Sequence, residues 1–490
     1  MTREEGGPVD IGGSLLTCAD VAAVARRQTL VRIGDAAMTA AGAAWRVARE
    51  VAAGRPVYGR NTGVGANHAV DVEEEDRSEH GLRLLRSHAA GAGPLLAPEF
   101  ARAMLVVRVN QIGAGGSGVD PAILEVLADA INRGFTPPVP RYGAIGTGDL
   151  TALASAGLCL LGERSWQSGT GPPPLFPVRS TEALAFISSN AATLGEAALA
   201  CCDLAGLIRS AVVVAALSLL AVHGSVEPYA APVHLARPHS GQQEVATHMR
   251  ALLAGERTEA ARIQDPYGYR AFPQVHGPAV DALAAADEVL VRELNAASEN
   301  PLVDVAGHTV WHNGNFHAAY IGLALDAMRA AVFQTAALSA ARLGTLVEPL
   351  FTGLGPFLAD TPASSGIMVL EYVAQSAVAD IRRLAAPAAL GSAVLSRGVE
   401  EHAGFATQSA HASTDVVPAY RATLACELVG AVRALRMQGR APAGGALRRA
   451  FAQADAMLDP RTADRPLDTD LSAAAGVLGE ISRLPWLPGT

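Results

Sequence analysis

Apolar residues run through long stretches of this chain without the one-sided polarity of a surface helix. Glu196–Val222, Pro278–Asn295 and Phe316–Leu350 are apolar around much of their circumference, a pattern that requires other helices on several sides. Ahead of them, residues 1–195 alternate short helical segments with glycine-rich loops at Tyr58–Asn67, Gly113–Gly118 and Gly143–Gly148. SGTGPPPLFP at Ser168–Pro177 must be a loop, because successive prolines lack the donors a helix needs. Residues 351–490 read as further helices separated by Pro356–Pro362 and Gly439–Gly445. Strand signal is scarce. Leu302–Trp311 alternates around Ala306-Gly307 and predicts a small hairpin between helices. The expectation is a mainly α chain of long bundled helices in three stretches, 1–195, 196–350 and 351–490, whose two-sided apolar helices also imply subunit packing.

Composition narrows the function classes. Of 490 residues only 17% are charged, against about 25% in an average soluble domain, and 50% are hydrophobic, so a disordered chain is excluded. Asp and Glu outnumber Lys and Arg, 47 to 38, which leaves no basic excess to drive nucleic-acid binding by counterion release. The longest apolar run, Ala211–Val222, is interrupted by Ser218 and falls short of the roughly 20 residues of a membrane span; it reads as a buried helix, and no membrane is expected as a partner. Five cysteines, at 18, 159, 201, 202 and 426, show no metal spacing and read as reduced structural thiols. With an N-terminus unlike a signal peptide, they point to a cytoplasmic protein. The thirteen histidines do not cluster at ligand spacing, so no metal is expected.

Several segments are harder to explain as scaffold. GAGGSG at Gly113–Gly118 has dinucleotide-loop spacing but follows a helical run, Ala101–Ile112, rather than a strand, which argues against that use. PVYGRNTGVGAN at Pro56–Asn67 reads either as a plain turn or as a lid carrying Tyr58, with the glycines absorbing backbone change. His88 lies in an apolar setting, where a core histidine is the default. In YGAIGTGDL, Tyr142–Leu150, Asp149 could cap a helix, but capping leaves the glycines unexplained. IQDPYGYRAFPQ packs Gln264, Asp265, Tyr267, Arg270 and Gln274 into twelve residues; such polarity in so apolar a chain is a buried network or a site. Arg270 is suited to clamping a carboxylate bidentately, or else forms a surface ion pair. Glu400 and Glu401 in VEEH are solvated charges or part of a site.

In this order, YGRNTGVG, SHAAGAG, RVNQIGAGGSG, GTGDL, SSNAATLG, QDPYGYR, ENPL, GNFH and EEH resemble the aromatic amino acid ammonia-lyase and aminomutase family, histidine ammonia-lyase above all, over residues 50–420. The resemblance implies a homotetramer of long helices and non-oxidative removal of ammonia from an aromatic amino acid, or its transfer to the β-carbon. It also implies a small-molecule substrate with a carboxylate, and no external cofactor. An electrophilic methylidene-imidazolone, formed from an Ala-Ser-Gly triplet of the chain itself, captures the amine in the family. By motif position Tyr58 resembles the lid base, a task that calls for a lowered pKa. Arg270 resembles the carboxylate clamp. Asn190, Gln264 and Tyr267 match groups that orient substrate and prosthetic group, and Asn300 and Phe316 fall in matching active-site segments. His88 and Glu400 match positions facing the substrate side chain, and a glutamate at the latter is similar to the histidine-specific enzymes.

The pattern breaks at the triplet. The family reads GSVGASGDL where this chain has GAIGTGDL, Gly143–Leu150: one residue is missing and threonine replaces serine. An imidazolone here would come from Gly146-Thr147-Gly148, would carry an ethylidene, and would hinder the approaching amine. Three readings stay open. One is an ammonia-lyase with a variant electrophile. Another is an enzyme lacking the electrophile that uses Tyr58, Arg270, Asn190 and Gln264 for elimination, conjugate addition, cyclisation or isomerisation of a pre-activated substrate in specialised metabolism. The third is a non-catalytic homologue.

Overall fold

A computed structural model describes residues 7–256 and 260–484. The fold is mainly α. Its longest helices are Ala191–Ala221, Phe272–Leu294, Ala319–Leu346 and Ala406–Met437, and the first three cover most of the apolar runs named above. The expected hairpin is present, with Leu302–Asp304 antiparallel to Thr309–Trp311. Two further strand pairs escaped prediction: parallel Val9–Ile11 with Val31–Ile33, and antiparallel Ala92–Leu95 with Pro140–Tyr142. GAGGSG does follow a helix, Pro98–Gly113, and its glycines serve packing. A Cβ on Gly118, at φ +65°, would lie 2.7 Å from the Arg60 guanidinium.

The chain forms two compact units that do not follow its consecutive stretches. Unit 1 contains residues 1–202, 286–326 and 387–414; unit 2 contains 203–285, 327–386 and 415–490. The unit boundaries at 202/203, 285/286, 326/327 and 414/415 fall inside the four long helices, and the one at 386/387 falls just after the Val369–Leu384 helix.

In unit 1 the Asp35–Gly54 helix buries Ala44, Val47 and Ala48 against Val57 and the hairpin residues Val303 and Val310, anchoring the chain that leads into the Tyr58 loop. Unit 2 is centred on an ion pair with no exposure, Arg342 Nε to Glu427 Oε1 at 2.6 Å. Ser218 and Ser339 donate to the same carboxylate at 2.7 and 2.6 Å. Ser218 thus lies in the apolar run because it has a buried acceptor, as a buried hydroxyl requires. The segments Ser180–Ala221 and Ala319–Leu346 are long and apolar enough to cross a membrane, so the shortness expected of Ala211–Val222 does not hold for the helix that contains it; 83% of the first segment's apolar window is buried within the protein. None of the five cysteines forms a disulfide.

Candidate active site

Unit 1 holds a cavity of about 770 Å³ built almost wholly from loops. Its first wall is Pro56–His68. There Asn61 staples the chain to itself: its Oδ1 accepts the Val57 N–H at 2.6 Å and its Nδ2 donates to the carbonyls of Ala52 and Arg55. Arg60, buried, donates to the carbonyls of Ser117, Gly118 and Thr181. Gly59, at φ +68°, has no room for a Cβ against Leu184. These contacts turn Tyr58 into the cavity, where its hydroxyl accepts the Gly65 N–H at 2.8 Å.

The second wall is the Gly143–Asp149 loop, which exposes Thr147 and Gly148 to the cavity. Asn190 lies behind it, 2% exposed, accepting the Gly148 N–H at 2.9 Å and donating to the Phe316 carbonyl at 2.7 Å. Asp149 begins the Leu150–Leu160 helix, but its side chain does not cap it. Its carboxylate instead accepts the backbone N–H and the hydroxyl of Thr193 at 2.7 and 2.8 Å, and burial pushes its pKa up to about 6.

The remaining walls are Asn300, His312–His317 and Val399–His402. Arg108, fully buried, donates to the carbonyls of Phe186 and Ala185 and pairs with Glu299 at 3.1 Å, holding the 184–188 and 299–300 segments together. Asn300 accepts the Asn313 N–H at 3.0 Å. His317 Nε2 and His402 Nδ1 are 2.9 Å apart. Glu400 and Glu401 are exposed at the rim.

Electrostatics depart from expectation at Tyr58. Burial raises its pKa, the Gly65 N–H opposes that, and the Glu400 carboxylate adds to it. The phenol is therefore not lowered within the single chain, because the charged group acting on it is an anion.

Unit 2 holds a second cavity, of about 440 Å³, lined by Gln264, Asp265, Tyr267, Arg270 and Gln274 together with Ser225–Pro228. The twelve-residue motif divides its labour. Asp265 is buried and ties the turn to the Ser225 N–H at 2.6 Å and to Arg262. Gly268 lies so close to Arg342 that a Cβ would meet its Cγ at 2.8 Å. Tyr269 is buried, with Tyr229 donating to its carbonyl and its hydroxyl bonded to Thr345. Tyr267 is exposed, with the Arg270 guanidinium 4.5 Å over its ring. The Nε of Arg270 and the Oε1 of Gln274 are buried and without a hydrogen-bond partner among the described residues. An unpaired guanidinium edge in a cavity is suited to an incoming carboxylate.

The sequence profile of the aromatic amino acid lyases matches residues 16–456. The chain belongs to the aromatic amino acid lyase family. Histidine ammonia-lyase of Geobacillus kaustophilus is 36% identical over 446 residues, 87% of this chain and 88% of that protein. The enzyme of the same name from Streptomyces avermitilis is 35% identical over 95% of both chains. Among solved structures, tyrosine aminomutase from Streptomyces globisporus is similar at TM-score 0.90 and 29% identity over 97% of each chain. Histidine ammonia-lyase from Trypanosoma cruzi is similar at TM-score 0.89 and 28% identity over 98% of this chain and 96% of that one. This lyase therefore shares its fold with enzymes of both reaction types.

Within the lyase chain the twelve site residues of the sequence reading separate. Tyr58, Thr147, Gly148, Asn300, Phe316 and Glu400 line the unit 1 cavity. Gly146 and Asn190 support its wall from behind. Gln264, Tyr267 and Arg270 line the unit 2 cavity instead. His88 lines neither; it ends the Arg77–His88 helix with its Nδ1 2.9 Å from the Leu84 carbonyl. Sequence reasoning missed His312, Ser188 and the His317–His402 pair. Both members of that pair lie inside motifs already quoted, GNFH and EEH, beside residues that were selected.

Proposed function

We propose that this lyase removes ammonia non-oxidatively from an aromatic amino acid whose side chain is an imidazole, the aminomutase shift being the second reading. The observation that carries it is Tyr58: a phenol held by the Gly65 N–H in a large cavity, opposite a rim glutamate, is a proton acceptor placed for a bound molecule. Glu400 at that rim is an acceptor for an imidazole N–H, which a phenyl ring lacks. The similarity to tyrosine aminomutase supports the second reading, since lyase and mutase differ only in where the amine goes.

Arg270, with its unpartnered Nε, is the group suited to the substrate carboxylate, and Gln264 and Tyr267 beside it are suited to orienting the amino acid. By family resemblance the complete site uses Arg270 of a second copy in a homo-oligomer, a tetramer. Tyr320 and Leu323, 75% and 61% exposed on one helix, support burial of that helix by another copy. A guanidinium supplied in this way would also lower the Tyr58 phenol, as a base requires. The lyase is read as cytoplasmic from its reduced thiols.

Incubation with histidine, tyrosine and phenylalanine, followed by absorbance of the conjugated acrylate, tests the proposal. Histidine should give the product, and its failure to do so would remove the imidazole specificity.

A further inference from the structure

The prosthetic group implied by the family does not fit the residues that would have to form it. Forming it requires the Gly148 nitrogen to attack the Gly146 carbonyl carbon, closing a five-membered ring through Thr147. In the structure that nitrogen's N–H is directed to Asn190 Oδ1 at 2.9 Å, while the Gly146 carbonyl accepts the Ala318 N–H at 3.0 Å. The rest of the loop is equally committed. The Gly143 carbonyl accepts from Thr151, that of Ala144 from Gln408, and that of Ile145 from the Phe405 N–H at 2.8 Å. The Asp149 N–H donates to Ser189 at 2.7 Å. Gly146 cannot stand in for the alanine of the triplet either: it lies at φ +84°, and a Cβ there would come within 2.6 Å of the Ala406 nitrogen. Closing the ring would break several of these bonds at once, in a loop already one residue short.

We infer that Gly146-Thr147-Gly148 remains an ordinary peptide and that the electron sink for elimination is the substrate's own ring. The second half rests on the lyase reading above. With no protein electrophile to hold the amine, the β-proton must be acidified by the substrate. A protonated imidazole does this. As Tyr58 takes the β-proton, the C–H electron pair forms a double bond from Cβ to the ring, and the displaced ring pair rests on the ring carbon beside the positive nitrogen, an ylide with no net charge. The pair then returns to form the Cα–Cβ double bond, and the Cα–N bond of the substrate's ammonium group breaks with its electrons leaving on nitrogen as ammonia. No oxidant or reductant is consumed. Glu400 at the rim is placed to hold the imidazolium, and Thr147 lines the cavity with an intact side chain. The substrate class follows: amino acids with a ring that can carry positive charge, and not those with a plain phenyl ring.

Two measurements on the purified full-length protein separate this inference from the lyase reading. Intact mass, with tryptic mapping of Tyr142–Arg164, should equal the unmodified sequence. Loss of two waters, about 36 Da, or of one water mapped to that peptide, would overturn the open loop. Turnover of histidine with none of phenylalanine supports the ring sink. Phenylalanine turnover by protein of unmodified mass would overturn it. No turnover of histidine would defeat the lyase reading and the ring sink together, while the mass would still decide the loop.

Discussion

The two cavities of this lyase are built in opposite ways. The one in unit 1 draws its walls from separate segments, 56–68, 147–150, 184–188, 300, 312–317 and 399–402, four of them pinned by a side chain bonding to backbone: 56–68 by Asn61, 184–188 by Arg108, 147–150 by Asn190 and 312–317 by Asn300. The one in unit 2 draws most of its wall from a single stretch, 263–274, resting on the buried Arg342–Glu427 pair. A loop-built wall can present many side chains to a small ligand, whereas a short helix over a buried ion pair presents few, rigidly. The difference suits a division in which unit 1 carries the proton chemistry and unit 2 the carboxylate grip.

The largest effect should come from removing the support of the second cavity. Glu427→Ala leaves Arg342 buried and uncompensated and should cost about 3–5 kcal/mol of stability, read by urea denaturation. A loss below 1 kcal/mol would mean that the pair does not support unit 2. Arg270→Ala tests the grip and not the support. Its Nε has no protein partner to lose, so the melting temperature should hold. The carboxylate contact is worth about 1.5–3 kcal/mol, a tenfold to hundredfold fall in kcat/KM. A folded variant with unchanged kcat/KM would remove Arg270 from the site.

The units should also differ in how they answer acid. His276 is buried in unit 2 between Thr335 Oγ1 and the Ile208 carbonyl, and burial lowers its pKa to about 3. Its folded pKa lies below the unfolded one near 6.5, so its contribution is present above that value and is lost as pH falls toward 3. By pH 5 the loss is about 2 kcal/mol. Asp149 of unit 1, raised to about 6, has the opposite sign: its contribution is present below its ordinary value and is lost as pH rises through 6. Denaturation monitored by probes in each unit between pH 4 and 7 should show unit 2 weakening on acidification more than unit 1. Parallel behaviour would contradict the contrast.

The same contrast explains what was legible beforehand. QDPYGYR could be found because Gln264, Tyr267 and Arg270 are neighbours in the chain, and the local residues Asp265, Gly268 and Tyr269 hold them in place. The long helices were legible from apolar runs that need neighbours all round. His312 and the His317–His402 pair were not, because only tertiary packing brings segments 312–317 and 399–402 to one cavity. His88 sits in a motif that matches the family, yet its ring is drawn back to the Leu84 carbonyl at the end of its own helix. The missed strands, such as Val9–Ile11 and Val31–Ile33, are three residues each, too short for alternation to stand out. The discontinuous units were hidden because four of their five boundaries lie inside helices, where sequence shows no break.

Tyr58→Phe with histidine as substrate tests the central claim most directly, read as acrylate formation across a pH series with circular dichroism confirming the fold. The hydroxyl's bond is the one from the Gly65 N–H, so the variant should stay folded while turnover falls at least a hundredfold and the rise in rate as the phenol ionises disappears. A folded Tyr58→Phe protein with undiminished turnover and the same pH profile would contradict the account.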